Sequence, residues 1–293
     1  MKSAVIEVSD LKKSFRSTQV LKGVSLKIEE GSVVGLVGTN GAGKSTLIQC
    51  LLGLLRATGG ESTIFSDDSW NLSASTKARL GYVPQTIHHY PWMYVRQIIQ
   101  YTAAFHENWD KQWEEELVDR WQIPLKKRAA ALSPGEAQKL ALVLALGHRP
   151  ELLILDEPVA SLDPLGRREF LRSLLELSNN EKQTVLFSTH ITADLERVAT
   201  HVAILKDGLI LRYSPLDELL DGFKRLRIRS TERLPDSFSV RHSIRTIVDG
   251  SQALTTVPDV DDALLLELRT KWNADVQVED LNLEEIFVEA HDA

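Results

Sequence analysis

One cysteine among 293 residues, Cys50, excludes an internal disulfide and the small stapled folds that depend on one. Its place in an apolar stretch reads as a packed small hydrophobe, not a nucleophile, and a reducing cytoplasm fits. No run approaches the ~18 uninterrupted apolar residues that crossing a bilayer requires, and the opening MKSAVIEVSD lacks the apolar core of a signal peptide. Any action at a membrane therefore needs a partner that supplies the spanning helices. Positive charge is also short: 34 Lys and Arg against 41 Asp and Glu leave a formal charge of −7. That balance argues against a surface devoted to nucleic-acid phosphates. His88 and His89 are adjacent, which is poor spacing for a shared metal ion.

What is there begins with size. A chain of 293 residues with 43% hydrophobic content buries one full core and a smaller second one, so two domains are expected. The stretch Gly38, Thr39, Asn40, Gly41, Ala42, Gly43, Lys44, Ser45, Thr46 matches the phosphate-cradling pattern G-x-x-x-x-G-K-[ST]. Before it, Val33, Val34, Leu36 and Val37 read as a buried strand. After it, Leu47, Ile48, Leu51, Leu52 and Leu55 recur at helical spacing, so the helix is expected to run to Thr58-Gly59-Gly60. Glycines let the backbone wrap closely round a polyphosphate, with successive N–H groups and the positive end of the helix aimed at anionic oxygens. Lys44 is placed to reach the outer phosphates, Ser45 to put its hydroxyl on Mg²⁺, and Thr46 to hold the inner phosphates. The bare pattern arises by chance in roughly 1% of chains this long, so its company decides.

Alternation over Ala4–Val8 and Val20–Ile28 predicts antiparallel strands around a polar turn near Lys12–Thr18. Phe15 at that turn fits equally a ring stacked on an adenine face and a ring covering a sheet edge. Gly81–Gln85 reads as a short strand ending in a glutamine. From about Pro91 to Ala131 the pattern is helical, and Trp92, Trp109, Trp113 and Trp121 are expected mostly in its core. Ser133, Pro134 and Glu136 make a capping box with proline at the first helical position, which is also an anion-binding helix end.

Leu152–Leu155 runs straight into Asp156 and Glu157, a buried strand of a parallel sheet ending in two acids. Acids at that edge need a cation or a proton, so Asp156 on Mg²⁺ and Glu157 as base for an attacking water is the economical reading. Ser161–Pro164 makes a turn before an amphipathic helix. Thr184–Phe187 is another buried strand, and it delivers His190 to the same edge as a contact for the terminal phosphate. Asp207-Gly208 turns a hairpin. Beyond Gly222, strands and two helices predict a small α+β unit, with Lys224, Arg225, Arg227 and Arg229 read as a solvated strand face.

In their order and approximate spacing GTNGAGKST, the glutamine of YVPQ, LSPGE, LLILDEP, SLD and the histidine of STH resemble the ABC (ATP-binding cassette) ATPase domain over roughly residues 1–222. The resemblance implies an α/β P-loop NTPase of the ABC type, a mixed sheet core with an antiparallel β subdomain and a helical subdomain near 91–148. Residues 223–293 would be the C-terminal α+β appendage. It implies ATP and Mg²⁺ as cofactors. Gly38–Thr46 and Phe15 would hold the nucleotide; Ser45, Gln85 and Asp156 would serve the metal; Lys44, Gln85, Glu157 and His190 would carry catalysis. Ser133, Gly135 and Asp163 would address the nucleotide of an opposite subunit, because two cassettes of this family stack head to tail around ATP. The partners implied are a second copy or a paralogous cassette and a separate membrane permease at the cytoplasmic face, with no nucleic acid. Leu283–Phe287 resembles the tail of exporter-type subunits.

The family signature is usually LSGGQ, and Pro134 and Glu136 depart from it while Ser133 and Gly135 are retained. A soluble cassette protein of translation or DNA repair would carry two cassettes or an inserted coiled coil, and neither is present. A small-molecule P-loop kinase would leave LSPGE and His190 idle.

Overall fold

The computed structural model describes residues 3–160, 162–178 and 183–292, so Ser161 of the SLD turn lies outside the described residues. Alternating residues at the start form β1 (Ala4–Phe15) and β2 (Thr18–Glu29), an antiparallel pair that buries Val5, Val8, Leu21, Val24 and Ile28. The polar turn is much shorter than expected. Lys12, Lys13 and Ser14 stay paired with Lys22, Leu21 and Gln19, and the chain reverses only at Arg16 and Ser17, with Arg16 at φ 53. Charged side chains are tolerated there because one face of the hairpin is solvated.

β3 (Val33–Val37) is wholly buried and leads through the glycine loop into α1 (Lys44–Leu51). That helix ends earlier than its apolar spacing suggests. Gly53, at φ 67, reverses the chain and lets the N–H groups of Leu54 and Leu55 return to the Gln49 carbonyl. Gly59 and Gly60 belong instead to β4 (Gly59–Ile64), which pairs with β1 and with β5 (Asp67–Asp68). Next come α2 (Ala74–Ala78), β6 (Leu80–Val83), α3 (Val95–Ala103), α4 (Lys111–Arg120), α5 (Pro134–Leu146), β7 (Leu152–Asp156), α6 (Pro164–Ser178) and β8 (Thr184–Thr189). They are followed by α7 (Thr192–Val198), β9 (His201–Lys206), β10 (Leu209–Pro215) and α8 (Leu216–Gly222). Asp207 and Gly208 both take positive φ, 49 and 80, as a two-residue hairpin turn requires.

The chain divides into two compact units, one running to His190 with Arg197–Tyr213, the other comprising Ile191–Glu196 and Ser214 onward. The first holds a four-stranded antiparallel sheet, β2-β1-β4-β5, and a six-stranded sheet ordered β10-β9-β3-β8-β7-β6. From β9 to β6 the neighbours in the second sheet are parallel, so their carboxyl ends share one edge. Ile6, Leu21, Leu36, Ile48, Ile154 and Leu186 belong to one continuous core joining the two sheets and α1.

The helical stretch between β6 and β7 corrects one expectation. Of its four tryptophans only Trp121 is buried; Trp92 is 66% exposed, and Trp109 and Trp113 are half-buried. Leu117 and Val118 fill the interior instead, leaving Trp113 as a platform under Arg120 and Arg149.

The second unit contains α8, then β11 (Phe223–Ser230), β12 (Arg245–Asp249), β13 (Gln252–Pro258), α9 (Asp262–Trp272), β14 (Ala274–Asp280) and α10 (Leu283–Asp292). Its antiparallel sheet, ordered β12-β13-β11-β14, packs Leu226 and Ile228 in a core with Leu264 and Leu268 of α9. Three of the positive charges on β11 are matched by acids: Lys224 with Asp280, Arg225 with Glu285 and Glu289, and Arg227 with Glu279.

Packing is tight at the end of α5, where a Cβ on Gly147 would lie 2.3 Å from two ring carbons of Trp109. That ring cannot swing aside freely, because its Nε1 donates to Glu114 at 2.8 Å and the Gly147 carbonyl accepts from the Asp110 N–H. Gly147→Ala is therefore expected to lower unfolding free energy by about 1–3 kcal/mol through overpacking. Urea titration followed by tryptophan fluorescence checks this, and an unchanged midpoint would contradict the packing argument.

Candidate functional site

β3 is flanked by β9 and β8, which places its carboxyl end in the interior of the sheet edge. Register aligns the ends of the neighbouring strands: Val37 lies beside Thr189, and Ser188 beside Asp156. Lys44, Asp156, Glu157 and His190 thus leave the same edge of one sheet, the place where parallel sheets receive ligands.

The glycine loop folds tightly. Gly43 takes φ 109, and a Cβ there would meet Leu21 Cδ2 at 2.9 Å, so any larger residue is both strained and crowded. A Cβ on Gly41 would meet nothing, which leaves that side of the loop open. Lys44 is only 6% exposed. Its ammonium donates to the carbonyls of Gly38 at 2.8 Å and Thr39 at 3.3 Å and stands 3.4 Å from Glu157 Oε1. A buried ammonium is tolerable only when it is paired and hydrogen-bonded in this way.

α1 begins without a side-chain cap and without an acid in its first turn. Its first N–H groups lack intrahelical partners, and the macrodipole concentrates positive potential there. A polyphosphate fits this end, with Lys44 beside it and Ser45 and Thr46 in the first turn.

Opposite the loop, Glu157 is 5% exposed and adopts φ 51, an uncommon conformation for a non-glycine residue and one that concentrates at functional sites. Its Oε2 lies 2.9 Å from His190 Nδ1. His190 itself is 48% exposed, so one ring nitrogen faces the carboxylate while the ring remains open to solvent. Asp156 Oδ1 accepts from Ser188 Oγ at 2.6 Å, and the same Oγ accepts the Glu157 N–H at 2.9 Å. Burial, and then the negative charge of Asp156, push the neighbouring Tyr82 phenol up to about 12.

Ser188 was visible in the sequence only as part of a strand end, and its positioning role has no motif. A serine directly beside an acid-ended strand in a parallel pair was the one available signal. Gln85 is exposed two residues beyond Val83, which pairs with Leu155, so it leaves the same edge. Among the described residues no group of three or more His, Cys, Asp or Glu side chains gathers as a metal site. Ser45, Gln85 and Asp156 instead offer hard oxygen donors, a set that suits Mg²⁺ when phosphate oxygens complete it.

A second pole lies at α5. Ser133 Oγ accepts the Glu136 N–H at 3.2 Å, while Glu136 Oε2 accepts the Ser133 N–H at 2.8 Å, the reciprocal box that the sequence predicts. Ser133 and Gly135 border a depression of about 230 Å³ shared with Lys139, Leu162 and Asp163, and none of Gly38–Thr46 lines it. Asp163 fastens the start of α6, its Oδ1 accepting the Gly166 N–H at 2.7 Å. Phe15 ends β1, 45% exposed with the Lys13 ammonium 5.0 Å above its ring. The structure thus brings Lys44, Asp156, Glu157 and His190 together and keeps Ser133, Gly135 and Asp163 in a separate cluster.

A family profile described as "ABC transporter" matches residues 21–160. The ABC transporter ATP-binding protein YtrB of Bacillus subtilis is 29% identical over 97% of this chain and 97% of its own. The bacitracin transport ATP-binding protein BcrA of Bacillus licheniformis is 32% identical, covering 74% of this chain and 72% of its own. Among solved structures, an ATP-binding subunit of an ABC transporter superposes with a TM-score of 0.67 at 28% identity, covering 74% of this chain and 92% of that one.

With its hydroxyl lost, Ser188→Ala would leave the Asp156 carboxylate and the Glu157 amide without a shared partner. The expected cost is about 1–3 kcal/mol of unfolding free energy. Chemical denaturation measures it, and a neutral result would show that Ser188 does not hold the two acids.

Proposed function

We propose, from the premise that this chain belongs to the ABC transporter family as an ATP-binding subunit, that two such subunits close on ATP and drive a separate permease. As a member of that family it is an ATPase with the P-loop cassette fold. The observation that carries the mechanism is the Glu157 carboxylate held at one sheet edge between Lys44, 3.4 Å from one oxygen, and His190, 2.9 Å from the other.

The loop Gly38–Thr46 binds the triphosphate through backbone N–H groups, and Lys44 offsets the charge that gathers on the outer phosphate oxygens. Ser45, Gln85 and Asp156 would hold Mg²⁺, which would supply Lewis-acid neutralisation of the phosphates when bound. Glu157 accepts the proton of the attacking water, a contribution of about 10²–10⁴-fold. His190 orients that carboxylate from one side and faces the terminal phosphate from the other. Phe15 offers its ring to the adenine.

The separation of the Ser133–Gly135 cluster from the loop supports completion of the site by another subunit, homologous or identical, with Asp163 at the seam. Hydrolysis then removes the phosphate bridge, and the halves part. No described helix is long and apolar enough to cross a membrane, so a permease must supply the passage. We place the chain beside that permease, at the cytoplasmic face. Export over import is the direction we assign, supported by the likeness of Leu283–Phe287 to the tail of exporter-type subunits. Copurification with a multi-span membrane protein supports the assignment; recovery with ribosomes or DNA instead would overturn it.

Glu157→Gln is expected to bind ATP, to remain dimeric in its presence and to lose nearly all turnover. Phosphate release measured beside ATP-dependent dimerisation checks this. Turnover at the wild-type rate would remove Glu157 from the mechanism.

A further inference from the structure

The tip of α5 carries an electrostatic contradiction. A helix end that is to receive an anion profits from free N–H donors and from the absence of negative charge. Here the first helical residue, Pro134, has no N–H to offer, and the third, Glu136, is an acid. An uncompensated carboxylate within one turn of the docking point would repel a phosphate.

Both oxygens of that carboxylate are engaged. Glu136 Oε2 accepts the Ser133 N–H, and Oε1 lies 2.7 Å from the Lys127 ammonium. Lys127 projects from a fixed backbone: its N–H donates to Pro124 and its carbonyl accepts the Val95 N–H, each at 2.9 Å. Lys139, the lysine that lines the depression, does not do this job, because its Nζ lies 3.9 Å from Glu169. The Lys127 hydrogen bond, followed by that of the Ser133 backbone, holds the Glu136 carboxyl below its ordinary range, so the acid stays charged. Lys127 is half exposed and Glu136 about a quarter exposed, a setting in which an ion pair adds little to folding stability. Its consequence is electrostatic and local.

We infer that Lys127 is a positioning residue for the second pole: it compensates the charge of Glu136 and holds that carboxylate back in the capping box, so that Ser133 and Gly135 can receive a phosphate. This rests on the reading that these two residues meet a nucleotide bound by another subunit.

The full chain is titrated with ATP under two readouts, turnover with Glu157 intact and dimerisation in the Glu157→Gln background. A unit negative charge left uncompensated at roughly 6–12 Å from a doubly charged phosphate in a water-like medium raises the half-saturating ATP concentration about three- to tenfold. Lys127→Met is expected to show that rise in both readouts, with turnover at saturating ATP changed much less. Lys127→Arg restores the wild-type value. So does Lys127→Met combined with Glu136→Gln, because glutamine keeps the capping box without the charge, a rescue that a merely structural lysine would not allow.

Wild-type ATP dependence in Lys127→Met, or a double variant as impaired as the single one, overturns the inference while leaving ATP-dependent dimerisation standing. Failure of Glu157→Gln to dimerise at any ATP concentration overturns the underlying reading and this inference with it.

Discussion

One positive charge buried at the end of a glycine loop sets the terms for the site around it. Removing an ammonium from water costs several kcal/mol unless its protons find acceptors, and Lys44 finds three, two loop carbonyls and the Glu157 carboxylate. The carbonyls come from residues five and six positions earlier, so the loop closes around its own lysine. Glu157 comes from another strand, so the same contact ties the loop to the far side of the site. The left-handed backbone at Glu157 is the local cost of turning that carboxylate inward, offset by the Ser188 hydroxyl on its N–H.

The arrangement also separates recognition from chemistry. Under the proposed mechanism phosphate recognition falls to backbone groups and to Lys44, whose directions are fixed by the loop itself. The carboxylates rest on β7 and are braced by β8, so their spacing is a property of strand register. The α5 tip shares neither support. It is organised by its own capping box and by Lys127, which allows it to serve as a contact presented outward.

Much of this was legible in the sequence because the motifs are short and local. A strand, a glycine loop and a helix follow one another within twenty residues, and four apolar residues before Asp156-Glu157 leave few alternatives to a buried parallel strand. The capping box at Ser133 was equally readable, since its partners are three residues apart. What escaped was set by tertiary contacts. Ser188 acts only because β8 lies beside β7 in one register. The tryptophans between β6 and β7 match helical spacing, yet Leu117 and Val118 took the interior and Trp92 stayed outside. Charged Lys12 and Lys13 looked like a turn but extend a strand, because a hairpin with one wet face tolerates them. The early end of α1 was marked by Gly53, a signal weaker than the leucines that continue beyond it.

The order of strands in the six-stranded sheet has a mechanical consequence. β3, β8 and β7 each have hydrogen-bonded neighbours on both sides, whereas β6 closes the row with a single partner. The central strands therefore act as a stiff chassis that keeps lysine, acids and histidine at constant spacing. Compliance is concentrated at the rim. Gln85 stands two residues past that rim strand, at the start of the segment that leads to α3, so under the proposed mechanism a displacement of a fraction of an ångström at the nucleotide passes outward there without disturbing lysine, acids or histidine.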